Sequence, residues 1–141
     1  MRYAKWVFLV AGVSGVLMVV PPYFREGQMG RDYPPAINHP EFYYGFLGVC
    51  LAWQFLFLVI ASDPVRFRPA MLPAMVEKAS FAVAIPVLYA LDRVPAVWVG
   101  FASMDAVWLV LFAAAYLRTP KDSPPPAGKG GSRHEGPETA P

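Results

Sequence analysis

The chain has 141 residues, of which 56% are hydrophobic and only 16% charged, with a formal net charge of +2. A soluble domain of this size carries about 25% charged residues, so the composition argues against an ordinary soluble fold. The small net charge, without a Lys/Arg stripe interleaved with aromatics, argues against nucleic-acid binding.

The length fits one folded domain, and its apolar residues gather into four long runs. The first, residues 6–24, holds no charge. Arg2 and Lys5 precede it, and it closes on Val20-Pro21-Pro22-Tyr23 rather than on an A-x-A cleavage site. It reads as an uncleaved helix, not a signal peptide. The connection that follows, residues 25–41, contains Asp32-Tyr33-Pro34-Pro35 and Asn38-His39-Pro40-Glu41. Its prolines favour extended or turn backbone. Asn38 or His39 can end this loop. Pro40 and Glu41 then open the next helix, where proline is tolerated and an acid suits the positive end of the helix dipole.

The second run, residues 42–62, is also uncharged. It contains Cys50, the chain's one cysteine, which cannot form an internal disulfide and has no CxxC partner for a metal or redox role. After it, Asp63 can cap a short helical turn starting at Pro64. Arg66 and Arg68 can then reach anionic headgroups, or Arg66 can pair with Asp63. The third run, residues 69–91, carries Glu77, Lys78 and Pro86, and the fourth, residues 96–117, carries Asp105. Only Asp92-Arg93-Val94-Pro95 separates them, a length expected of antiparallel neighbours. Residues 119–141 are rich in Pro, Gly and Ser and read as a disordered tail in which His134 is inert.

Each run is long enough, at 1.5 Å per residue, to match a hydrocarbon core of ~30 Å. The expected fold is therefore all-α: a four-helix transmembrane bundle over residues 1–118. Arg2, Lys5, Arg66, Arg68, Arg118, Lys121, Lys129 and Arg133 fall on one side of such a bundle, and Arg25, Arg31 and Arg93 on the other. This bias predicts a multi-pass protein of the cell (inner) membrane with both termini cytoplasmic.

A carboxylate at mid-membrane depth costs roughly 2.5–3.5 kcal/mol on insertion scales, so Asp105 must face protein or water. Gln54, Glu77, Asp105 and Ser14 fall within about one helical turn of the midplane, which predicts a polar layer. Helical spacing groups Pro73, Ala74, Glu77, Ser80, Phe81 and Ala84 on one face of the third helix. On the fourth it groups Phe101, Ala102, Asp105, Trp108, Leu109 and Phe112. The second helix offers Leu47, Cys50, Gln54 and Phe57, and the first Ala11, Ser14, Gly15 and Met18. Gly12, Gly15, Gly45 and Gly48 are expected at close helix contacts.

Several functions suit this layer. One is a pocket for a hydrophobic small molecule or quinone, walled by Phe81, Phe101 and Trp108 and oriented by Asp105, Glu77, Gln54 and Ser80. Two acids in such a pocket would share a proton and could serve a membrane isomerase acting on an isoprenoid-type substrate. Another is a proton relay through Asp105 and Glu77, with His39, Glu41 and Asp32 at its outer mouth. A relay in so small a protomer needs a homo-oligomer or a partner membrane subunit. The third is structural: Glu77 pairs with Lys78 or with a neighbouring chain, Lys78 can instead snorkel to the inner headgroups, and Asp105 is held by Gln54, Ser80 or Ser103. The sequence calls for no cofactor and no metal; His39 with two loop acids makes a poor site.

In size, in the pattern of four spans and in acids on the later helices (Glu77, Asp105), residues 1–118 resemble the small bacterial DoxX-like membrane proteins. That resemblance implies a bundle in the cytoplasmic membrane acting as an accessory subunit, some members being linked with redox or quinone systems. It carries no family catalytic residue onto this chain. The reading that results is a hydrophobic-ligand-binding or accessory subunit, with a proton-coupled transporter subunit and a membrane isomerase as alternatives.

Overall fold

The computed structural model describes residues 2–121. Most of the segment expected to be disordered, His134 included, lies outside the described residues. The elements are α1 (Arg2–Val19), a 3-10 turn (Pro21–Phe24), α2 (Glu26–Asp32), α3 (Pro40–Ser62), a second 3-10 turn (Arg68–Ala70), α4 (Met71–Ala90) and α5 (Val97–Arg118). There is no strand among the described residues. Four stretches, Arg2–Phe24, Pro40–Ser62, Arg68–Ala90 and Val97–Arg118, are long and apolar enough to cross a membrane. The chain thus has the architecture of a multi-pass membrane protein.

Local chemistry sets the boundaries. α1 stops at Val19 because Pro21 and Pro22 follow, and proline lacks an N–H and disfavours helical backbone in the residue before it. The chain tightens there into a 3-10 turn, and the Tyr43 hydroxyl donates to the Pro22 carbonyl at 2.8 Å. α3 opens at Pro40 with Glu41 in its first turn, as the local residue types predict. α2 was not expected in the connecting loop. Its sequence, EGQMGRD, has two glycines and no apolar stripe, but Glu26 and Arg31 suit the helix dipole at its two ends. It is anchored by the Tyr44 hydroxyl, which donates to Glu26 Oε2 at 2.9 Å.

The helices pack in the spatial order α3, α1, α5, α4; α3 and α4 barely touch. The core gathers at the end where α1 begins and α5 finishes. There Phe112 stacks on Phe8 with ring centroids 4.2 Å apart and meets Phe57 edge-on at 5.0 Å. Ala4, Val7, Ala11, Ile60, Ala61, Met71, Ala74 and Ala115 complete it. Small residues let α1 and α3 approach closely. A Cβ on Gly12 would lie 2.7 Å from Leu58 Cδ2, and one on Gly15 would collide with the Gln54 side chain. Gly45 and Gly48, expected at similar contacts, are not: Gly45 faces open space and Gly48 has only the Tyr23 hydroxyl nearby, at 3.6 Å.

The α3–α4 connection behaves as a capped turn. Asp63 Oδ1 accepts from the Arg66 backbone N–H at 3.2 Å. Arg68 does not reach outward as expected. Its Nε donates to the Thr119 carbonyl at 2.8 Å, and its guanidinium lies 3.8 Å from the centre of the Tyr116 ring. Thr119 is buried, so the folded part of the chain runs past the expected boundary at residue 118. Between α4 and α5, Asp92 takes a left-handed conformation with φ 55°. The Arg93 N–H bonds to Leu88 O at 2.9 Å and the Asp92 N–H to Tyr89 O at 3.0 Å, a Schellman closure.

Glycine meets that left-handed position without a Cβ penalty. Asp92→Gly is therefore expected to stabilise the protein by about 1 kcal/mol, seen as a raised thermal midpoint in detergent; a lowered midpoint would contradict the turn. Gly15→Leu should destabilise by about 1–3 kcal/mol through overpacking. Adding Gln54→Ala should restore much of that loss, and strict additivity of the two changes in unfolding titrations would rule the contact out.

Candidate functional site

The buried residues of α4 are Met71, Ala74, Lys78 and Ile85. Their spacing, three, four and seven, makes one stripe along a helix. The inward face of α4 is therefore rotated by about one residue, ~100°, from the Pro73–Glu77–Ser80 face expected from the sequence. Pro73, Ser80 and Ala84 are exposed, while Glu77 and Phe81 lie at the margin. Lys78, not Glu77, points most directly into the bundle.

The Lys78 ammonium is the centre of a three-charge cluster. It donates to Asp105 Oδ1 at 3.0 Å and to Glu77 Oε1 at 3.3 Å. Glu77 Oε2 lies 3.2 Å away as an ion-pair contact, buried and outside hydrogen-bond geometry. The three side chains are only 9% (Lys78), 18% (Glu77) and 15% (Asp105) exposed. The ammonium also sits 5.5 Å from the centre of the Phe57 ring on α3, within cation–π range. Lys78 lies about 15 Å from the start of the Arg68–Ala90 stretch, close to mid-depth for a ~30 Å core. It does not extend towards the headgroups, because two carboxylates hold it.

The charge balance of this cluster is unequal. Two carboxylates face one ammonium, so the fully ionised set carries one net negative charge. Isolated net charge in an apolar interior is unfavourable, and one added proton or one external cation would neutralise the set.

The other polar residues expected in the layer are occupied elsewhere. Gln54 is buried against α1 and donates to Cys50 O at 3.1 Å. Ser80 donates to Glu77 O at 2.7 Å, Ser103 to Val99 O at 2.8 Å and Ser14 to Val10 O at 2.7 Å. None of these hydroxyls holds Asp105. The aromatic residues do not form one wall around the acids either. Phe101 is exposed and packs on Trp98, while Trp108 turns towards α1 and lines a groove of about 540 Å³ there. At the opposite end of the bundle, His39 Nδ1 lies 3.0 Å from Glu41 Oε1 on the surface, and Asp32 is not part of that pair. Among the described residues no group of three or more His, Cys, Asp and Glu side chains gathers as a metal site.

The Lys78→Met change would leave two carboxylates facing each other without their cation. Breaking a buried pair this way costs about 3–5 kcal/mol. The triple change Glu77→Gln, Lys78→Met and Asp105→Asn should cost less than Lys78→Met alone, measured by reversible unfolding in mixed micelles. A triple variant less stable than the single one would show that the three charges do not balance one another.

Comparison with known protein families, curated proteins and solved structures finds no match to this chain.

Proposed function

We propose that the chain is a proton-coupled accessory subunit of the cell membrane, with both ends cytoplasmic, in which the Glu77–Lys78–Asp105 cluster takes up and releases the proton. The observation that carries this reading is the unequal charge count at mid-depth: one ammonium 3.0 Å from Asp105 and 3.2 Å from Glu77. Ionisable groups inside membrane spans commonly belong to proton or ion pathways, because structural roles are met more cheaply by apolar packing. Adding one proton to the fully ionised cluster changes its net charge from −1 to zero, and a proton on Asp105 weakens the ion pair that joins α4 to α5. Four helices are few for a complete pathway, and the apolar outward faces suit packing against a second copy or a partner subunit. The resemblance to DoxX-like proteins implies the same accessory role. The orientation rests on the excess of Lys and Arg at the end holding Arg2, Arg66 and Arg118. A hydrophobic-ligand pocket or isomerase site at the acids is less well supported, since Phe101 and Trp108 turn away from them.

The test is proton flux in proteoliposomes under an imposed potential, using protein extracted gently with any partner attached. Glu77→Gln and Asp105→Asn should each lower the flux by roughly a hundredfold, the scale of a positioned proton-transfer group, with helical content preserved. Equal flux in wild type and both variants would sink the proposal.

A further inference from the structure

Away from the charge cluster, α1 and α5 leave an apolar groove between them at the end where α1 begins. Tyr3, Trp6, Val10, Trp108 and Leu111 line it, with Arg2 as its charged lining residue, and its volume is about 540 Å³. The lining residues of α1 recur on one face of the helix and run from Arg2 to Val10, about 12 Å along the axis. The groove therefore stays within one leaflet of a ~30 Å core.

Charge is confined to its mouth. Arg118 does not line the groove itself, but its guanidinium lies 4.7 Å from the centre of the ring of Tyr3, a lining residue at the same end of the bundle as Arg2. No acidic residue lines the groove. Trp6 is 61% exposed, presenting its ring to whatever fills the space. An apolar trough within one leaflet, with Arg2 in its lining and the Arg118 guanidinium against its Tyr3, complements a molecule with an acyl chain and an anionic phosphate. A second copy of this chain fits less well, because a two-fold contact would set the same arginines against each other.

We propose that this groove is a binding site for an anionic phospholipid of the leaflet at the start of α1. Its phosphate is held by Arg2 and Arg118, and its acyl chain lies along Tyr3, Trp6 and Trp108. Guanidinium suits phosphate because its planar fork donates two parallel hydrogen bonds. The site is independent of proton coupling at Lys78.

The test uses the full chain carrying Trp53→Phe and Trp98→Phe, so that fluorescence reports Trp6 and Trp108 alone. It is reconstituted with brominated phosphatidylglycerol or brominated phosphatidylcholine in mixed bilayers. The relative binding constant from quenching should favour the anionic lipid about thirtyfold, at ~1 kcal/mol per arginine. Arg2→Gln and Arg118→Gln should each remove about fivefold of that preference, and the double variant nearly all of it. High salt should weaken the preference without any mutation, which keeps the test valid if a variant folds poorly. Equal quenching by both lipids, or a preference that survives in a folded double variant, overturns the proposal. So does absence of quenching by either lipid, the result if another protein helix covers the groove.

Discussion

The Lys78 ammonium lies 3.0 Å from Asp105 on α5 and 5.5 Å from the Phe57 ring on α3, so one charge ties α4 to its neighbour α5 and reaches across to α3. α3 and α4 otherwise barely touch. Without that charge, α4 would be held mainly through α5 and through Met71 and Ala74 at one end of the core. The rest of the arrangement is consistent with this dependence. The aromatic cluster of Phe8, Phe57 and Phe112 fuses α1, α3 and α5 at the end where α1 begins. Lys78 stands at the edge of that cluster. Beyond it, the buried residues thin out to Leu47 on α3, Ile85 on α4 and Ala102 on α5. The bundle is tight at one end and open at the other, and the charged cluster marks the border.

The two ends are also held by different chemistry. At the tight end, Arg68 satisfies the Thr119 carbonyl beyond the last turn of α5 while stacking on Tyr116. A free helix C-terminus leaves carbonyls without partners, and here a side chain from the α3–α4 turn supplies one. At the open end the contacts are peripheral and aromatic. Tyr33 packs on Trp98 with centroids 5.6 Å apart, and Tyr43 and Tyr44 tie α3 to the short segment around Pro22 and Glu26. Tyrosine and tryptophan suit such positions because an apolar ring carries a polar edge.

Much of this was legible in the sequence because it follows from chain-local rules. The four spans stand out as apolar runs, Pro21 and Pro40 mark helix ends, and the short Asp92–Pro95 link makes α4 and α5 neighbours. Asp105 and Glu77 were visible as sites because charge in an apolar run is conspicuous. The Glu77–Lys78 pair was among the readings of the sequence, but the reach of Lys78 to Asp105 was not. Adjacent residues on a helix point ~100° apart, so a face centred on Glu77 keeps Ala74 but puts Pro73, Ser80 and Ala84, which are exposed, in place of Met71, Lys78 and Ile85. Met71, Ala74, Lys78 and Ile85 fall on one face once Lys78 is allowed inside. It was hidden because a lone lysine is expected to extend towards water, and only a partner on another helix makes burial tolerable. α2 was illegible for a different reason, since a short polar helix with two glycines has no periodic pattern to read.

The buried cluster has a consequence for how the protein is made. The Arg68–Ala90 stretch has the lowest mean hydropathy of the four, 1.5 against 1.8 to 2.0 for the others. Two of its central residues, Glu77 and Lys78, are charged, and a charge at a helix centre opposes insertion by roughly 2.5–3.5 kcal/mol. Asp105 imposes the same penalty on its own helix. Entering the bilayer one at a time, both segments would be disfavoured; entering together, they neutralise most of each other's charge. The close α4–α5 turn keeps the two segments side by side as they leave the ribosome. Biogenesis should therefore treat them as one hairpin, and the translocon would release α4 into lipid only once Asp105 has arrived to meet Lys78.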